Sequence, residues 1–263
     1  MSWIEALILG LIQGLTEFLP VSSSGHIELG KFLFGVESAD NLMFSVLVHT
    51  ATMLSIIVVF RQDIWHLITR ALRFEWNTET RFITLIVISM IPTGIVGLLF
   101  ESRIEQFFDG QILLVGFMLL ITASVLFSTK FSKKNNKEVG FLHALIIGLA
   151  QTIAILPGIS RSGATIGVAL LLGVDRSAAT RFSFLMVIPP IAGATLIKVK
   201  DLFSSPAAYN QELLPLGVGF IAAFVSGLIA CSWMLKLVRK GNIAYFSIYC
   251  VLAGLTAIAL SIF

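Results

Sequence analysis

Hydrophobic residues along this chain come in long runs that polar residues seldom interrupt. A helix that crosses a membrane needs about 20 predominantly apolar residues. Segments of this kind predict six transmembrane helices, over residues 42–60, 82–100, 111–128, 178–197, 213–235 and 243–262. The pattern favours an all-α integral membrane protein over a water-soluble domain.

Two further apolar regions, residues 3–35 and 141–173, are each long enough for two short helices but are interrupted at their centres. The interrupting sequences are FLPVSSSGH and ILPGISRSGAT. Non-helical backbone at membrane depth is stable only where it is buried in protein or lines a wet cavity. We therefore predict two re-entrant helical hairpins, each of which enters and leaves on one side of the membrane.

The two interrupted regions also resemble each other, since residues 6–52 align without gaps with residues 144–190. Each half of the chain then holds one hairpin and three spans. Because three is an odd number, the second half must lie inverted relative to the first. This predicts a single membrane domain over residues 1–263, built from inverted repeats 1–128 and 139–263, whose hairpin tips meet near the membrane midplane.

Composition and charge agree with this class and suggest an orientation. The chain is 57% hydrophobic and 13% charged, with a mean hydropathy of +0.94. Basic residues concentrate in loops 61–81, 129–140 and 236–242, which the positive-inside rule assigns to the cytoplasm, with both termini in the periplasm. Segment 61–81 has the pattern of an interfacial amphipathic helix. The excess of basic residues does not require a nucleic-acid partner, because basic residues of membrane proteins usually lie in cytoplasmic loops.

Residues suited to catalysis or ligand binding lie at the predicted hairpin tips. Half-helices that begin after the serines would point their amides into a shared cavity, an arrangement that binds anions such as phosphate. The halves differ at this point: Glu17, Ser23 and His26 of the first half align with Ile155, Arg161 and Ala164 of the second. One half thus supplies a carboxylate, a hydroxyl and an imidazole, and the other a guanidinium.

Each of these residues has a structural alternative. Arg161 suits a phosphate, but it could instead form only an ion pair with Glu17. Ser23 and His26 are three residues apart, so on a helix they share a face and suit a serine–base pair. The alternatives are a hydrogen-bonded core histidine and, for the serines, helix N-caps, with Ser22 or Ser24 the better candidates.

Two further positions remain open. Gln13 and Glu17 are four residues apart on one helix face and could bind a divalent cation beside phosphate oxygens. Because Gln13 recurs as Gln151 in the other half, a structural role for the glutamines is the alternative. His49 lies in the first predicted span, where it either makes a core hydrogen bond or lines the cavity.

The motifs QGLTEFLPVSSSGH and LPGISRSGAT resemble the two signature motifs of the undecaprenyl-diphosphate phosphatase family, also called the bacitracin-resistance family. The resemblance covers nearly the whole chain. It implies an enzyme of the bacterial inner membrane that hydrolyses a C55 polyprenyl diphosphate, undecaprenyl diphosphate, to undecaprenyl phosphate and inorganic phosphate. This reaction recycles the carrier lipid of peptidoglycan synthesis and confers bacitracin resistance. A requirement for Mg2+ or Ca2+ and an active site open to the periplasm are also implied.

The resemblance also assigns roles to individual residues. Ser23 matches the proposed nucleophile, His26 the essential histidine, and Glu17 and Arg161 the acidic and basic residues of the site. Gln13 stands where many members have a second glutamate, and a neutral amide binds metal more weakly. The residues expected to contact the substrate are Ser22, Ser24, Gly25, Ser160, Ser162 and Gly163.

A transporter is the main rival, because inverted repeats with broken helices are also typical of transporters. A polyprenyl-phosphate flippase could bind its lipid with Arg161 and the helix ends alone. The clustering of acid, hydroxyl and imidazole in one half favours an enzyme instead. The expected partners are the polyprenyl diphosphate substrate and membrane lipids, and a homodimer is compatible with the sequence.

Overall fold

The computed structural model describes residues 1–36, 41–100, 107, 110–132, 136–204, 213–240 and 242–262. Side chains are described for these residues except at 41–42, 198–204 and 239–240. Parts of the predicted loops, residues 101–106 and 133–135 among them, therefore lie outside the described residues.

The described part of the chain folds into α-helices joined by short turns, as the apolar runs predict. The helices are α1 (Trp3–Phe18), α2 (Ser23–Phe34), α3 (Asn41–Val59), α4 (Arg61–Ala71), α5 (Thr78–Leu99), α6 (Ile112–Ser128), α7 (Phe141–Ile153), α8 (Arg161–Leu171), α9 (Arg176–Leu185), α10 (Ile188–Ser204), α11 (Leu213–Lys240) and α12 (Phe246–Ile262). Short 3-10 turns, Thr129–Phe131 and Ile243–Tyr245, extend α6 and precede α12.

Several of these helices are long and apolar enough to cross a membrane. Within the described residues five such spans are found: Thr78–Leu99, Ile112–Phe131, Arg176–Ile197, Leu213–Val238 and Ile243–Ile262. A sixth is formed if Met43–Val59 and Arg61–Ala71, which are bent by 77° at their junction, count as one. Many large apolar side chains on these helices are exposed, among them Leu98 at 81% and Ile229 at 65%. The chain is a multi-pass integral membrane protein, and the six predicted spans agree with these helices.

Both interrupted regions break where the sequence predicts. Helix α1 ends at Phe18 and α2 begins at Ser23, while α7 ends at Ile153 and α8 begins at Arg161. A serine caps each second helix in the same way. Ser22 Oγ accepts the Gly25 amide at 3.2 Å, and Ser160 Oγ accepts the Gly163 amide at 3.0 Å. The cap satisfies an amide that has no partner within the helix.

Small residues let these short helices approach the long ones closely. Helix α1 packs against α11, and α7 packs against α5. A Cβ atom on Gly10 would overlap the carbonyl of Gly219, and one on Gly148 would overlap the backbone of Ser89. Such close backbone approach is how membrane helices gain packing energy without a hydrophobic driving force between them.

The two breaks touch each other in the middle of the bundle. Ser162 Oγ donates to the Leu19 carbonyl at 3.1 Å. The second break is also fixed to α6, because Thr122 Oγ1 donates to the Gly158 carbonyl and accepts the Ser160 amide, both at 3.0 Å. The two breaks are therefore in contact, and the starts of α2 and α8 lie close together.

The structure corrects one detail of the sequence interpretation. Segment 61–81 is not one amphipathic helix, because α4 ends at Ala71 and Asn77 caps α5 by accepting the Thr80 amide at 2.8 Å. In the last turn of α2, Lys31 is buried and forms an ion pair with Glu28 at 2.9 Å.

Candidate active site

A cavity of about 250 Å³, lined by both polar and apolar side chains, lies where the two breaks meet. Its polar lining comes from the starts of α2 and α8, from α1, and from the neighbouring helices α3, α5 and α7. The lining side chains able to hydrogen-bond are Glu17, Ser23, Ser24, Ser45, His49, Thr93, Gln151, Ser160 and Arg161. Hydroxyl, carboxylate and guanidinium groups thus share one enclosure inside an apolar bundle.

Glu17, in the last turn of α1, is the centre of the hydrogen-bond network. Its Oε1 accepts Arg161 Nη2 at 2.5 Å. Its Oε2 accepts Ser23 Oγ at 2.6 Å and Gln13 Nε2 at 3.0 Å. The Glu17 side chain is only 5% exposed. A buried carboxylate is costly without partners, and these donors offset that cost.

Arg161 is held from both sides at the first position of α8. Besides Glu17, it donates from Nη1 to the Ser183 carbonyl at 3.2 Å. Ser183 lies in the last turn of α9, where carbonyls lack partners within the helix. The ion pair considered as an alternative is therefore present, yet Arg161 also lines the cavity. A structural contact and a substrate contact are compatible here, because a guanidinium carries several donors.

Ser23 is the first residue of α2, and its hydroxyl points back to α1 rather than along α2. Because Ser23 Oγ donates its proton to a carboxylate, electron density on the oxygen is raised. A hydroxyl beside a base is the arrangement of nucleophilic catalysis. The base beside Ser23 is thus Glu17, and not the histidine suggested by helical spacing.

His26 makes its contacts elsewhere. Its Nδ1 lies 2.7 Å from the Ser22 carbonyl, and its Nε2 lies 2.7 Å from the Tyr249 hydroxyl. Both ring nitrogens are occupied by these contacts, so the imidazole reaches the backbone next to Ser23 and not the Ser23 hydroxyl. Among the described residues, His26 is not part of the cavity lining.

His49 has both of the roles that the sequence left open, because it makes a hydrogen bond within the bundle and also lines the cavity. Its Nδ1 donates to the Ser45 carbonyl at 2.8 Å, and its Nε2 lies 3.7 Å from Glu17 Oε2 inside the cavity. Thr93 and Gln151 join the lining through α5 and α7, and Gln151 Nε2 donates to Thr93 Oγ1 at 3.4 Å. Thr93 was missed because nothing in its local sequence indicates that α5 packs beside the second break.

The expected substrate-contacting residues divide into two groups. Ser24 and Ser160 line the cavity. Ser22, Gly25, Ser162 and Gly163 are buried and engaged in the caps and in the contact between the breaks. The second group therefore shapes the site rather than facing the cavity.

The side-chain oxygens of Glu17 and Gln13 beside the cavity are compatible with a bound divalent cation. The described residues contain no group of three or more His, Cys, Asp or Glu that could hold a metal ion. Mg2+ in phosphate-handling sites, however, is commonly bound by one or two carboxylates together with substrate oxygens. Gln13 is fully buried and its Oε1 has no hydrogen-bond partner in the described structure. This orphaned oxygen, one turn from the Glu17 carboxylate, fits an oxygen-seeking cation.

Fold and site together define a class: a multi-pass helical membrane protein with a buried serine–carboxylate–arginine cavity at the junction of two broken helix pairs. Residues 6–256 match the family model described as bacitracin resistance protein BacA. The chain belongs to this family.

Curated relatives extend along the whole chain. It is 53% identical over 257 residues to an undecaprenyl-diphosphatase of Christiangramia forsetii, covering 97% of this chain and 96% of that protein. It is 50% identical over 261 residues to an undecaprenyl-diphosphatase of Parabacteroides distasonis, covering 98% of each. A more distant relative, undecaprenyl-diphosphatase 1 of Bacillus cereus, is 39% identical over 259 residues, covering 95% of each.

Proposed function

We propose that this protein hydrolyses undecaprenyl diphosphate to undecaprenyl phosphate and inorganic phosphate. The observation that carries the proposal is the Ser23–Glu17–Arg161 network in the cavity, in a chain 53% identical to a protein named undecaprenyl-diphosphatase. The names of the curated relatives favour hydrolysis over the flippase alternative. The reaction regenerates the carrier lipid of peptidoglycan synthesis and removes the target of bacitracin.

In this proposal the site is built by inverted repeats with two re-entrant hairpins. Matching contacts in the two halves support this architecture. The Ser22–Ser24 and Ser160–Ser162 hydroxyl pairs are both 3.3 Å apart. Gly116 of α6 and Gly254 of α12 meet reciprocally, since a Cβ on either would lie 2.9 Å from the carbonyl oxygen of the other. Reciprocal contact is expected where an approximate two-fold axis relates two elements.

The first chemical step uses Ser23 as nucleophile. Its Oγ attacks the terminal phosphorus while its proton moves to Glu17 Oε2, 2.6 Å away. The bond between that phosphorus and the bridging oxygen breaks, and the lipid monophosphate leaves with the electron pair. A phosphoserine remains on the enzyme. Most of the rate enhancement comes from positioning and charge stabilisation, as is usual in phosphoryl transfer.

Charge on the diphosphate is balanced by groups of this chain. Arg161 binds phosphate oxygens through donors that do not contact Glu17 or Ser183. The first amides of α2 and α8 add the positive ends of two helix dipoles. A Mg2+ or Ca2+ ion would be held by Glu17 with Gln13, and when bound it neutralises further charge on the phosphate oxygens.

The second step releases phosphate. Water attacks the phosphoserine, and the inorganic phosphate that forms keeps both protons of that water. As the bond between phosphorus and Ser23 Oγ breaks, protonated Glu17 returns to Ser23 Oγ the proton that it accepted in the first step, and the hydrogen bond between them is restored. The same carboxylate therefore serves both steps, which agrees with its position in the cavity lining in direct contact with the Ser23 hydroxyl.

The orientation follows from the basic loops. Arg61 and Arg70 lie in α4 and Arg73 follows it, and in the predicted topology Lys137 and Lys236 lie on the same side. The positive-inside rule assigns this side to the cytoplasm. The first hairpin then enters from the periplasm, and the cavity is reached from there in the bacterial inner membrane.

The test is phosphate release from a polyprenyl diphosphate by purified protein in detergent. Ser23→Ala is compared with Ser124→Ala, a serine on the exposed face of α6 that bonds only within its own helix at 2.9 Å. We expect Ser124→Ala to retain wild-type activity and Ser23→Ala to lose at least about 100-fold. Substantial turnover by folded Ser23→Ala would show that water, and not Ser23, is the nucleophile. No phosphate release by the wild type would refute the hydrolase.

A further inference from the structure

A chain of contacts runs from the C-terminal helix to the backbone of the reactive turn. Tyr249 of α12 contacts His26 Nε2 through its hydroxyl, and His26 Nδ1 contacts the Ser22 carbonyl, each at 2.7 Å. The rings of His26 and Tyr249 also stack, with centroids 5.5 Å apart and planes 9° from parallel. Residues separated by 223 positions in sequence are thereby joined.

The chemistry of the partners fixes the direction of both hydrogen bonds. A carbonyl oxygen can only accept, so Nδ1 of His26 carries the hydrogen. In the neutral imidazole Nε2 is then an acceptor, and the Tyr249 hydroxyl donates to it. The Ser22 carbonyl therefore fixes the tautomer, and the second hydrogen bond, from Tyr249, fixes the plane of the ring.

The carbonyl at the end of this chain belongs to a strained residue. Ser22 has φ 69° and ψ 93°, a conformation that residues with a Cβ rarely adopt and that costs about 1–3 kcal/mol. Such a conformation persists only where surrounding contacts hold it. Ser22 also caps α2, so its conformation sets the direction in which the chain enters that helix. The next residue is Ser23, whose hydroxyl contacts Glu17.

We propose that Tyr249 is a positioning residue for the reaction, acting through His26 on the Ser22 backbone. The Tyr249–His26–Ser22 latch holds the strained turn so that Ser23 Oγ stays directed at Glu17 Oε2. This role rests on the proposed function. It gives His26 a function as a positioning residue that needs no contact with substrate, and it adds a participant from the other half of the chain.

The surroundings of Tyr249 strengthen the latch. An apolar groove beside it is lined by Leu19, Val21, Leu237 and Phe246, and Tyr249 itself is 46% exposed toward this side. Lipid chains offer no hydrogen-bond partner, so the Tyr249 hydroxyl gains more from His26 than it would in water.

The first test compares Tyr249→Phe with Tyr245→Phe. Tyr245 lies one turn earlier, is 74% exposed and lines the same groove, so it controls for loss of a hydroxyl there. Tyr249→Phe keeps the stacked ring and removes only the donor. We expect kcat to fall about five- to tenfold with KM unchanged, the loss expected from one neutral hydrogen bond, and Tyr245→Phe to match the wild type. Equal kcat in the two variants, or a raised KM alone, would overturn the latch.

A second test asks whether the latch acts on the strained residue. Glycine adopts positive φ without strain and is tolerated at N-caps, so Ser22→Gly should make the turn less dependent on Tyr249. We expect Tyr249→Phe to lower kcat less in the Ser22→Gly background, by no more than about twofold. Equal effects in both backgrounds would contradict the proposal. An inactive wild type would instead refute the proposed function.

Nitrogen NMR of labelled His26 provides a readout independent of activity. The wild type should carry its proton on Nδ1, and Tyr249→Phe should shift the Nε2 resonance as the donated hydrogen bond is lost. A wild-type imidazole protonated on Nε2 alone would exclude the latch even if Tyr249→Phe folded poorly.

Discussion

Removal of the Glu17–Arg161 pair one partner at a time, and then together, separates its structural role from its catalytic role. The two side chains are 5% and 14% exposed, and the contact is 2.5 Å long. Breaking a buried ion pair from one side costs about 3–5 kcal/mol, because the remaining charge is left uncompensated. Replacing both partners with neutral residues of similar size is often close to neutral. Stability and activity should therefore respond differently.

We expect Arg161→Met alone to lower the melting temperature by roughly 6–20 °C, from that cost and about 2–4 °C per kcal/mol for a chain of this size. The Glu17→Gln/Arg161→Met double variant should regain most of this loss. Activity should stay reduced by at least about 100-fold in both, because both lack the guanidinium that stabilises phosphate charge in the proposed mechanism. Melting is followed by intrinsic fluorescence in detergent, and activity by phosphate release.

A second arginine–carboxylate pair in the chain serves as the control. Arg181 Nε and Nη2 bind the two carboxylate oxygens of Asp63, each at 2.6 Å, but the side chains are 38% and 28% exposed and lie away from the cavity. Asp63→Asn should cost at most about 1 kcal/mol and leave turnover intact. Recovery of activity in the Glu17→Gln/Arg161→Met variant would refute the reasoning and leave the pair a purely structural contact.

Three further results are expected. Gly158→Ala should destabilise the protein by about 2–4 kcal/mol in thermal melting, because φ is +97° and the new Cβ would lie 2.6 Å from the Val115 carbonyl, whereas Gly94→Ala, with open space around it, should not. EDTA should abolish phosphate release and Mg2+ or Ca2+ restore it; either cation should raise the melting temperature of the wild type but not of Glu17→Gln. His49→Ala should lower kcat about tenfold, because it removes the imidazole whose Nε2 lies 3.7 Å from Glu17 Oε2. Unchanged turnover would exclude a role for His49 in the reaction.

The helices and the breaks were predictable because each depends on local chemistry. Length and hydropathy alone locate the spans. Proline, glycine and serine locate the breaks, and the serines capping α2 and α8 follow from the preference of a hydroxyl for an unpaired amide. The bend at Phe60 between α3 and α4 falls at the predicted boundary between the apolar segment 42–60 and the amphipathic segment 61–81. The end of α4 at Ala71 was not predicted.

The contacts inside the site depended on information that periodicity does not contain. Ser23 and His26 do share one helix, as their spacing predicts, but spacing does not say which neighbouring helix each side chain will meet. At the first turn of α2, Ser23 faces α1 and its carboxylate, while His26 faces α12. His49 was open in the sequence because its partner, Glu17, lies on a different helix and is brought close only by packing.

The polar residues at the breaks are stable in an apolar bundle because they satisfy one another across the breaks. Glu17 meets Arg161 and Ser23, while Ser162 meets the Leu19 carbonyl, so each break supplies partners that the other needs. Substitution within one half therefore leaves an unpaired group in the other. A site of this kind tolerates substitution of the apolar residues around it far better than substitution of the polar residues at the two breaks. The same mutual satisfaction holds Ser23, Glu17 and Arg161 in contact inside the bundle.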